Sequence, residues 1–185
     1  MMEVKDRIIL DLCGGTGAWS RPYKEAGYDV RNITLPYYDV RTYEPPDGVY
    51  GILAAPPCNE FSLAKGSQYR NFPKGLEIVD ACHRIIRQCV LGRNLAFWCL
   101  ENPRGFLRQF MGKSAYTIRY WWYGDGLDKP TDLWGYFTLP KRLYKEPPIL
   151  LKKIKYTPGG TDEKRQITRA KTPPGFAQAF FEANQ

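Results

Sequence analysis

Residues 7–17 read Arg7-Ile8-Ile9-Leu10-Asp11-Leu12-Cys13-Gly14-Gly15-Thr16-Gly17, and the prediction of the fold rests mainly on them. Its first six residues are mostly apolar, which is typical of a strand buried on both faces of a parallel sheet. The glycines then end the strand, and residues 18–26 have the pattern of a helix that stops at Gly27. A strand, a glycine turn and a helix in this order favour an α/β fold that binds ligands at the carboxyl ends of its strands.

The rest of the chain continues this alternation of strands and helices. Short apolar runs predict strands, and apolar residues at helical spacing predict amphipathic helices. The predicted elements are strands over 28–34 and 49–55, a helix over 74–93, a strand over 95–100, a short helix to about Met111, strands over 116–123 and 133–139, and a helix over about 173–183. We expect an open, mostly parallel α/β sheet with helices on both faces. One arrangement compatible with the sequence pairs the last two strands as an antiparallel hairpin at an edge of the sheet.

The composition excludes several classes of protein. The chain has 185 residues, 43% hydrophobic and 25% charged, so we expect one globular domain rather than a disordered or fibrous chain. No apolar run is long enough to span a bilayer and none follows the first residues as in a signal peptide, which favours a cytoplasmic protein without a membrane partner. Five cysteines without a CxxC pair, and His83 as the single histidine, argue against disulfides, a metal site and a histidine-based triad.

The positive charge of the chain is concentrated in one segment. The formal net charge is +8, which favours a polyanionic partner such as nucleic acid. Residues 141–171 contain ten basic and three acidic residues, so this segment holds +7 of the total. We expect it to make salt-sensitive, weakly discriminating contacts with phosphates through Lys152, Lys153 and Lys155, the alternative being a solvated basic surface.

Cys58 follows a predicted buried strand and two prolines, in Ala55-Pro56-Pro57-Cys58-Asn59-Glu60-Phe61-Ser62. The prolines fix φ and present the sulfur at the edge of the sheet. A thiolate at such a place is a strong nucleophile, whereas the alternative is a structural cysteine in a loop. The four other cysteines lie in or beside apolar segments, where a core position is favoured.

A carboxylate and the glycine turn lie at the ends of two other predicted strands. Glu101 begins Glu101-Asn102-Pro103, and it is either an exposed loop residue or a hydrogen-bonding partner for the edge of a base. The turn at Gly14–Gly17 is either a structural tight turn or a place where the backbone approaches a nucleoside or amino-acid group. Glu101, Cys58 and the turn all fall at carboxyl ends of strands, where an active site assembles in this architecture.

These motifs together resemble the cytosine-specific DNA C5-methyltransferase family. The likeness lies in Asp11-Leu12-x-x-Gly15-x-Gly17, then Pro56-Pro57-Cys58-x-x-Phe61-Ser62, then Glu101-Asn102-Pro103, in that order. It covers roughly residues 7–140, and the Pro-Pro-Cys and Glu-Asn-Pro motifs are its specific part. The resemblance implies a Rossmann-like methyltransferase sheet, S-adenosylmethionine as the cofactor and a cytosine flipped out of DNA as the substrate.

The resemblance also assigns roles to single residues. The Cys58 thiolate would add to C6 of cytosine while Glu101 holds N3 and the exocyclic amine, which makes C5 nucleophilic. Arg119 is expected close to the base. By the same analogy, the residues expected to bind the cofactor are Asp11, Gly15, Gly17, Pro56 and Asp39, and Asp39 is expected to face the adenine amino group. A loop over residues 59–73 is expected to close over the base. Its expected contacts with DNA are Phe61, Ser62, Lys65 and Arg70.

Three segments follow from these assignments. Residues 1–140 are expected to form the catalytic domain, residues 141–171 a reduced target-recognition region, and residues 172–185 a helix that packs on the catalytic domain. Because this recognition region is short, we expect the protein to select DNA sequences weakly, or to bind DNA together with a partner subunit or as a homo-oligomer.

Two alternatives to DNA C5-methylation stay open. Asn32-Ile33-Thr34 stands where the family has an acidic residue for the cofactor ribose, which motivates another pyrimidine C5-modifying enzyme with the same cysteine adduct. The other alternative is a catalytically silent homologue that binds DNA or serves as a partner subunit.

Overall fold

A computed structural model describes residues 3–92, 94–147 and 171–185 of the chain. Its strands are β1 (Ile8–Leu12), β2 (Asp29–Ile33), β3 (Val49–Ala54), β4 (Phe97–Pro103), β5 (Tyr116–Arg119) and β6 (Pro130–Tyr136). They form one sheet in the order β2-β1-β3-β4-β6-β5. The pairings among β2, β1, β3 and β4 are parallel, whereas β6 runs antiparallel to both β4 and β5. The predicted α/β class and the antiparallel edge hairpin are therefore confirmed.

The helices of the described residues are α1 (Arg21–Glu25), α2 (Phe72–Leu91), α3 (Arg108–Met111) and α4 (Pro174–Ala183). The start of α2 shows why a helix forms there: the side chain of Asn71 accepts the backbone N–H of Lys74 at 3.0 Å, and Pro73 lies in the first turn. In the part of the chain that the structure describes, no helix has the length and apolarity needed to cross a bilayer.

Two apolar layers cover the two faces of the sheet. One layer packs β-strand side chains against α2, and the other packs them against α1 and α4. Successive side chains of β4 alternate between the layers, so Leu100 faces α2 and Cys99 faces the opposite side. By the same alternation Glu101 lies on the α4 side of the sheet, and Asn102 lies on the α2 side.

The carboxylate of Asp125 holds the start of α4. It accepts the backbone N–H groups of Gly175 at 2.9 Å and of Phe176 at 2.8 Å, which lack partners within the helix. Phe176 is fully buried, with its ring centroid 5.9 Å from that of Trp19 and 5.5 Å from that of Tyr120. The helix is thereby fixed beside the segment that follows the glycine turn.

Four predicted elements have clearly different bounds in the structure. The strand expected over 133–139 is β6, which runs from Pro130 to Tyr136. The helix expected over 18–26 is shorter, because residues 15–20 form turns before α1 begins. The strand expected over 116–123 ends at Arg119, and Tyr120–Tyr123 form a 3-10 turn. The strand expected over 95–100 is β4, which extends to Pro103 because β6 pairs with it through Pro103. Glu101 therefore lies within a strand rather than in the loop after it.

The strand order brings the three sequence motifs to one edge of the sheet. Since β1, β3 and β4 are parallel neighbours, their carboxyl ends lie side by side. The glycine turn follows β1, the Pro-Pro-Cys motif follows β3, and the Glu-Asn-Pro motif forms the end of β4.

Candidate active site

A buried side chain connects the Glu-Asn-Pro motif to the Pro-Pro-Cys motif. The amide nitrogen Nδ2 of Asn102 donates to the backbone carbonyl oxygen of Pro56 at 2.9 Å, and Asn102 is fully buried. Asn102 directly follows Glu101, and Pro56 lies two residues before Cys58. A hydrogen bond shielded from water in this way fixes the segment of the cysteine relative to the strand of the glutamate.

The backbone also connects these two segments. The carbonyl oxygen of Cys58 accepts the N–H groups of Phe61 at 3.0 Å and of Ser62 at 2.8 Å, so the chain turns sharply after the cysteine. Ser62 then forms an isolated antiparallel bridge with Gly105, and the N–H of Phe106 donates to the carbonyl oxygen of Phe61 at 2.8 Å. The loop after β3 is therefore packed backbone to backbone against the loop after β4.

Gly105 is required by this close approach. A Cβ atom at this position would lie 2.3 Å from the carbonyl oxygen of Phe61, a distance that side chains do not reach. The backbone of Gly105 has no positive φ, so the requirement is for space and not for an unusual conformation.

The accessibility of the cysteines separates Cys58 from most of the others. Cys82, Cys89 and Cys99 are buried, and burial raises the pKa of the Cys89 thiol to about 11 and that of Cys99 well above its ordinary value. These two thiols remain protonated at neutral pH and are poor nucleophiles. Cys58 is partly exposed at the sheet edge, as is Cys13 in the glycine turn.

The carboxyl group of Glu101 is oriented by a tyrosine. The hydroxyl of Tyr120 donates to Oε1 of Glu101 at 3.0 Å, and only 8% of Glu101 is exposed. Burial, together with the negative charge of Glu101, raises the pKa of Tyr120 well above its ordinary value, so the phenol stays protonated and acts as the donor. The carboxyl group thus has a fixed orientation at the carboxyl end of β4.

Arg119, expected close to the base, has an acidic partner in the structure. Its guanidinium forms an ion pair with Asp128. The residue that contacts Glu101 is its neighbour Tyr120, from the 3-10 turn that ends the strand.

The glycine turn has the conformation that its sequence requires. Gly15 and Gly17 have φ values of 54° and 68°, and Cys13, with φ of 58°, is the one non-glycine residue with a left-handed φ in the part of the chain that the structure describes. The side chain of Asn32 on β2 donates to the carbonyl oxygen of Gly15 at 2.9 Å. No atom lies within 4 Å of the position that a Cβ of Gly15 would take, so this part of the turn faces open space.

A buried carboxylate lies beneath the glycine turn. Asp11 has no exposed surface, and its Oδ2 accepts a hydrogen bond from the Ser20 hydroxyl at 2.5 Å, while Oδ1 has no partner among the described residues. Burial raises the pKa of Asp11 to about 6 from its ordinary value of 3.8. A buried oxygen without a partner is unfavourable for the fold alone, and it suits a polar or cationic group of a ligand bound over the turn.

The buried Asp11 gives a pH-dependent stability prediction. The folded state binds the carboxyl proton of Asp11 more tightly than the unfolded chain does, because the pKa of Asp11 is raised on folding. Loss of this proton therefore lowers the free energy of unfolding as pH rises from about 4 to about 6, by at most about 3 kcal/mol. We expect Asp11→Asn to raise the free energy of unfolding by about 1–3 kcal/mol at about pH 7.5 and by little at about pH 4. Urea unfolding at both pH values measures this, with the exposed Asp6→Asn as the control. An equal effect at both pH values would contradict the burial argument.

Asp39 is already paired. Nε and Nη2 of Arg41 donate to its carboxylate, the latter at 2.5 Å, and these bonds hold the pKa of Asp39 below its ordinary value. Arg41 in turn contacts Glu77 on α2. The resemblance places the adenine amino group of the cofactor at Asp39. There the amino group would share the Asp39 carboxylate with the guanidinium of Arg41.

The loop after Cys58 uses its charged residues internally. Nζ of Lys65 donates to Glu60 at 2.5 Å, and this ion pair holds the pKa of Glu60 below its ordinary value. Arg70 donates to the carbonyl oxygens of Glu60 at 3.0 Å, of Ser62 at 2.9 Å and of Gly66 at 3.0 Å. Both cations were expected to contact phosphates, but in this structure they hold the loop together.

Two other loop residues expected at the DNA also support the loop. Phe61 has no exposed surface, and its ring packs against Phe72 at 6.2 Å between centroids, so it anchors the loop in the core and offers no face to a ligand. The hydroxyl of Ser62 accepts the N–H of Ala64 at 3.2 Å at the start of a 3-10 turn. The exposed side chains of the loop include Leu63 and Tyr69.

Three predictions lie outside the described residues. Lys152, Lys153 and Lys155 belong to the segment 148–170, for which no structure is described. The described beginning of the basic segment, residues 141–147, is exposed. There the guanidinium of Arg142 lies 3.7 Å from the ring centroid of Trp122.

No protein-family model and no curated protein matches this chain. The site must therefore be interpreted from its own chemistry. Within residues 3–92, 94–147 and 171–185, no group of three or more histidine, cysteine, aspartate or glutamate side chains is placed to hold a metal ion. What the described edge offers is a partly exposed thiol, an oriented carboxyl group and an open glycine turn above a buried carboxylate.

Sequence reasoning missed two residues that organise this edge. The sequence shows Asn102 as part of the Glu-Asn-Pro motif, but its bond to Pro56 depends on the pairing of β4 with its neighbours. Tyr120 had no signal in the sequence, because its orientation depends on where β5 ends.

Proposed function

We propose that this protein is a DNA methyltransferase that transfers a methyl group from S-adenosylmethionine to C5 of cytosine. The observation that supports this most strongly is the buried hydrogen bond between Asn102 and Pro56, which couples the segment of Cys58 to the strand of Glu101. Activation of a pyrimidine at C5 requires a nucleophile at C6 and an acid at N3 in fixed relation to each other. The pairing of β3 with β4 and the bond from Asn102 to Pro56 support such a relation between the segment of Cys58 and Glu101.

The proposed chemistry uses Cys58 and Glu101 on opposite sides of the base. The Cys58 thiolate forms a bond to C6, the electron pair of the C5–C6 double bond becomes a C4–C5 double bond, and the pair of the C4–N3 double bond moves to N3, which takes a proton from Glu101. C5 thereby becomes nucleophilic and accepts a methyl group. Transfer of the C5 proton to solvent, return of the N3 proton to Glu101 and departure of Cys58 from C6 then restore the aromatic ring and free the thiolate.

The cofactor belongs over β1 in this proposal. S-adenosylmethionine supplies an electrophilic methyl group when bound. Gly15 and Gly17 leave the backbone of the turn accessible, and the unpartnered oxygen of buried Asp11 fits a cationic group such as an α-ammonium. Pro56, which the resemblance also assigns to the cofactor, follows the neighbouring strand β3. A Rossmann-like methyltransferase sheet is the finer description of the fold under this proposal.

Label transfer tests the proposed function. Purified protein is incubated with S-adenosylmethionine labelled in its methyl group and with mixed-sequence duplex or single-stranded DNA, and the DNA is digested to nucleosides. We expect the label in 5-methyl-2′-deoxycytidine. Label in an exocyclic amino group, or no label in any DNA, would overturn the proposal. A protein that forms a covalent adduct with DNA but does not bind S-adenosylmethionine would instead support another pyrimidine C5 chemistry.

The basic segment is proposed to attach the enzyme to DNA phosphates. We expect replacement of Lys152, Lys153 and Lys155 by alanine to weaken binding similarly for all sequences, and to reduce the slope of log affinity against log salt by about 2–3. Fluorescence anisotropy over a salt series measures both quantities. The control replaces Lys5 and Lys24, which are exposed outside the basic segment, by alanine. Each of these charges should contribute less to DNA affinity and to the salt slope than a lysine of the basic segment. Unchanged slopes in the triple variant would show that the segment is only a solvated surface.

A further inference from the structure

Tyr120 is buried in direct contact with the carboxyl group that the proposed reaction uses. Its hydroxyl donates to Oε1 of Glu101 at 3.0 Å, and only 2% of Tyr120 and 8% of Glu101 are exposed. Water therefore competes little for this bond, which makes it stronger than an exposed one.

The position of Tyr120 is fixed from several sides. The ring of fully buried Phe176 lies 5.5 Å from the ring of Tyr120, and Asp125 holds the backbone of Phe176 in place. On another side, Nζ of Lys129 lies 5.9 Å from the centroid of the Tyr120 ring. A phenol enclosed in this way cannot easily turn its hydroxyl away from Glu101.

A phenol suits a carboxyl group that has to gain and lose a proton. A neutral O–H donates to a charged carboxylate, and it also donates, more weakly, to the carbonyl oxygen of the protonated acid. A guanidinium binds the charged carboxylate much more strongly than the acid, and so resists protonation. Arg119, the adjacent cation, is paired with Asp128 instead.

We propose that Tyr120 is a positioning residue that keeps the Glu101 carboxyl group aimed at the base through both of its protonation states. This inference rests on the proposed function for its catalytic consequence, whereas the contact itself is independent of it. Tyr120 does not touch the base and acts through Glu101.

The comparison of Tyr120→Phe with Tyr123→Phe tests this inference. Tyr123 belongs to the same 3-10 turn, is equally buried and also packs on Phe176, but its hydroxyl faces the carbonyl oxygen of Pro140 at 3.4 Å. Each variant loses one hydroxyl group from the same turn. General effects on folding should therefore be shared, and effects through Glu101 should not.

We expect Tyr120→Phe to lower kcat for methyl transfer by about 10–100-fold, the value of one hydrogen bond to a charged group, with KM for DNA and for S-adenosylmethionine within about 2-fold. Tyr123→Phe should retain kcat within about 2-fold. Equal losses in the two variants, or a change confined to KM, would overturn the inference. An inactive wild-type protein would count against the proposed function rather than against the role of Tyr120.

A spectroscopic measurement tests the contact without any activity. In protein labelled with ¹³C-glutamate, the side-chain carboxyl resonance that disappears in Glu101→Gln belongs to Glu101. This resonance should move in Tyr120→Phe and stay in place in Tyr123→Phe. A resonance that Tyr120→Phe does not move would show that the hydroxyl does not orient the carboxyl group.

Discussion

Cys58→Ala is expected to reduce methyl transfer to DNA by at least about 1000-fold, because without the thiolate nothing adds to C6 and C5 stays unreactive. The same variant should fail to form a covalent complex with DNA that contains 5-fluorocytosine. Fluorine cannot leave C5 as a proton does, so the wild-type adduct persists and migrates as a protein–DNA band on a denaturing gel. Residual adduct in Cys58→Ala would mean that another residue is the nucleophile.

Cys89→Ala is the matched control for this experiment. Cys89 is a buried thiol on α2 whose pKa is raised to about 11 by burial, and it lies among the core residues packed on the sheet. We expect this variant to retain methyl transfer and the covalent band. Loss of both in Cys89→Ala would show that removal of any cysteine damages the protein, and the effect of Cys58→Ala would then lose its meaning.

Gly105→Ala is expected to cause the second largest effect. The new Cβ would stand 2.3 Å from the carbonyl oxygen of Phe61, so the loop after β3 must move away from the loop after β4. Forced overpacking of this kind lowers the free energy of unfolding by about 1–3 kcal/mol. The displacement should also lower the rate of covalent trapping by about 10-fold or more, since a shift of this size separates Cys58 from Glu101.

Gly126→Ala controls for the exchange of glycine for alanine. No atom lies within 4 Å of a Cβ at Gly126, and its φ is not positive. Urea unfolding and the trapping rate of this variant should both match the wild type. If Gly105→Ala also matches the wild type, the two loops are not held together as the structure describes.

Much of the fold could be predicted, because its signals are local. Apolar runs that end at glycine or proline locate β1 and β3, and the helical spacing of apolar residues locates α2 within two residues at each end. The common edge of the glycine turn, Cys58 and Glu101 follows from parallel strands alone. These features need no knowledge of distant contacts.

The residues that organise the site could not be predicted in the same way. β4 continues through polar Glu101 and Asn102 because a distant strand pairs with it, and no local pattern announces that pairing. The resemblance assigns a place close to the base to Arg119, whereas the structure shows that β5 ends at Arg119 and that the following turn directs Tyr120 at Glu101. A misplaced strand end therefore changes the residue that faces the site.

The internal partners of the loop cations could not be predicted for a related reason. In a sequence, Lys65 and Arg70 beside aromatic residues are typical of phosphate contacts. Three carbonyl oxygens converge on Arg70 only once the loop has folded, and Glu60 meets Lys65 across five positions of the same loop. Charge composition gives no information about such internal partners.

The internal bonding of this loop has a consequence for how fast and how tightly a base can be enclosed. A segment held by Arg70 and by the Glu60–Lys65 pair loses its conformational entropy during folding, and so has little left to lose when a ligand arrives. Because Phe61 and Ser62 are fixed to the core and to the loop after β4, residues 63–70 should move as one stiff flap that bends beside Ser62 and Arg70. Enclosure of the base then requires a small rotation of the loop and no ordering of a disordered segment. If the loop is already ordered, its amide hydrogens should exchange slowly before any DNA is added.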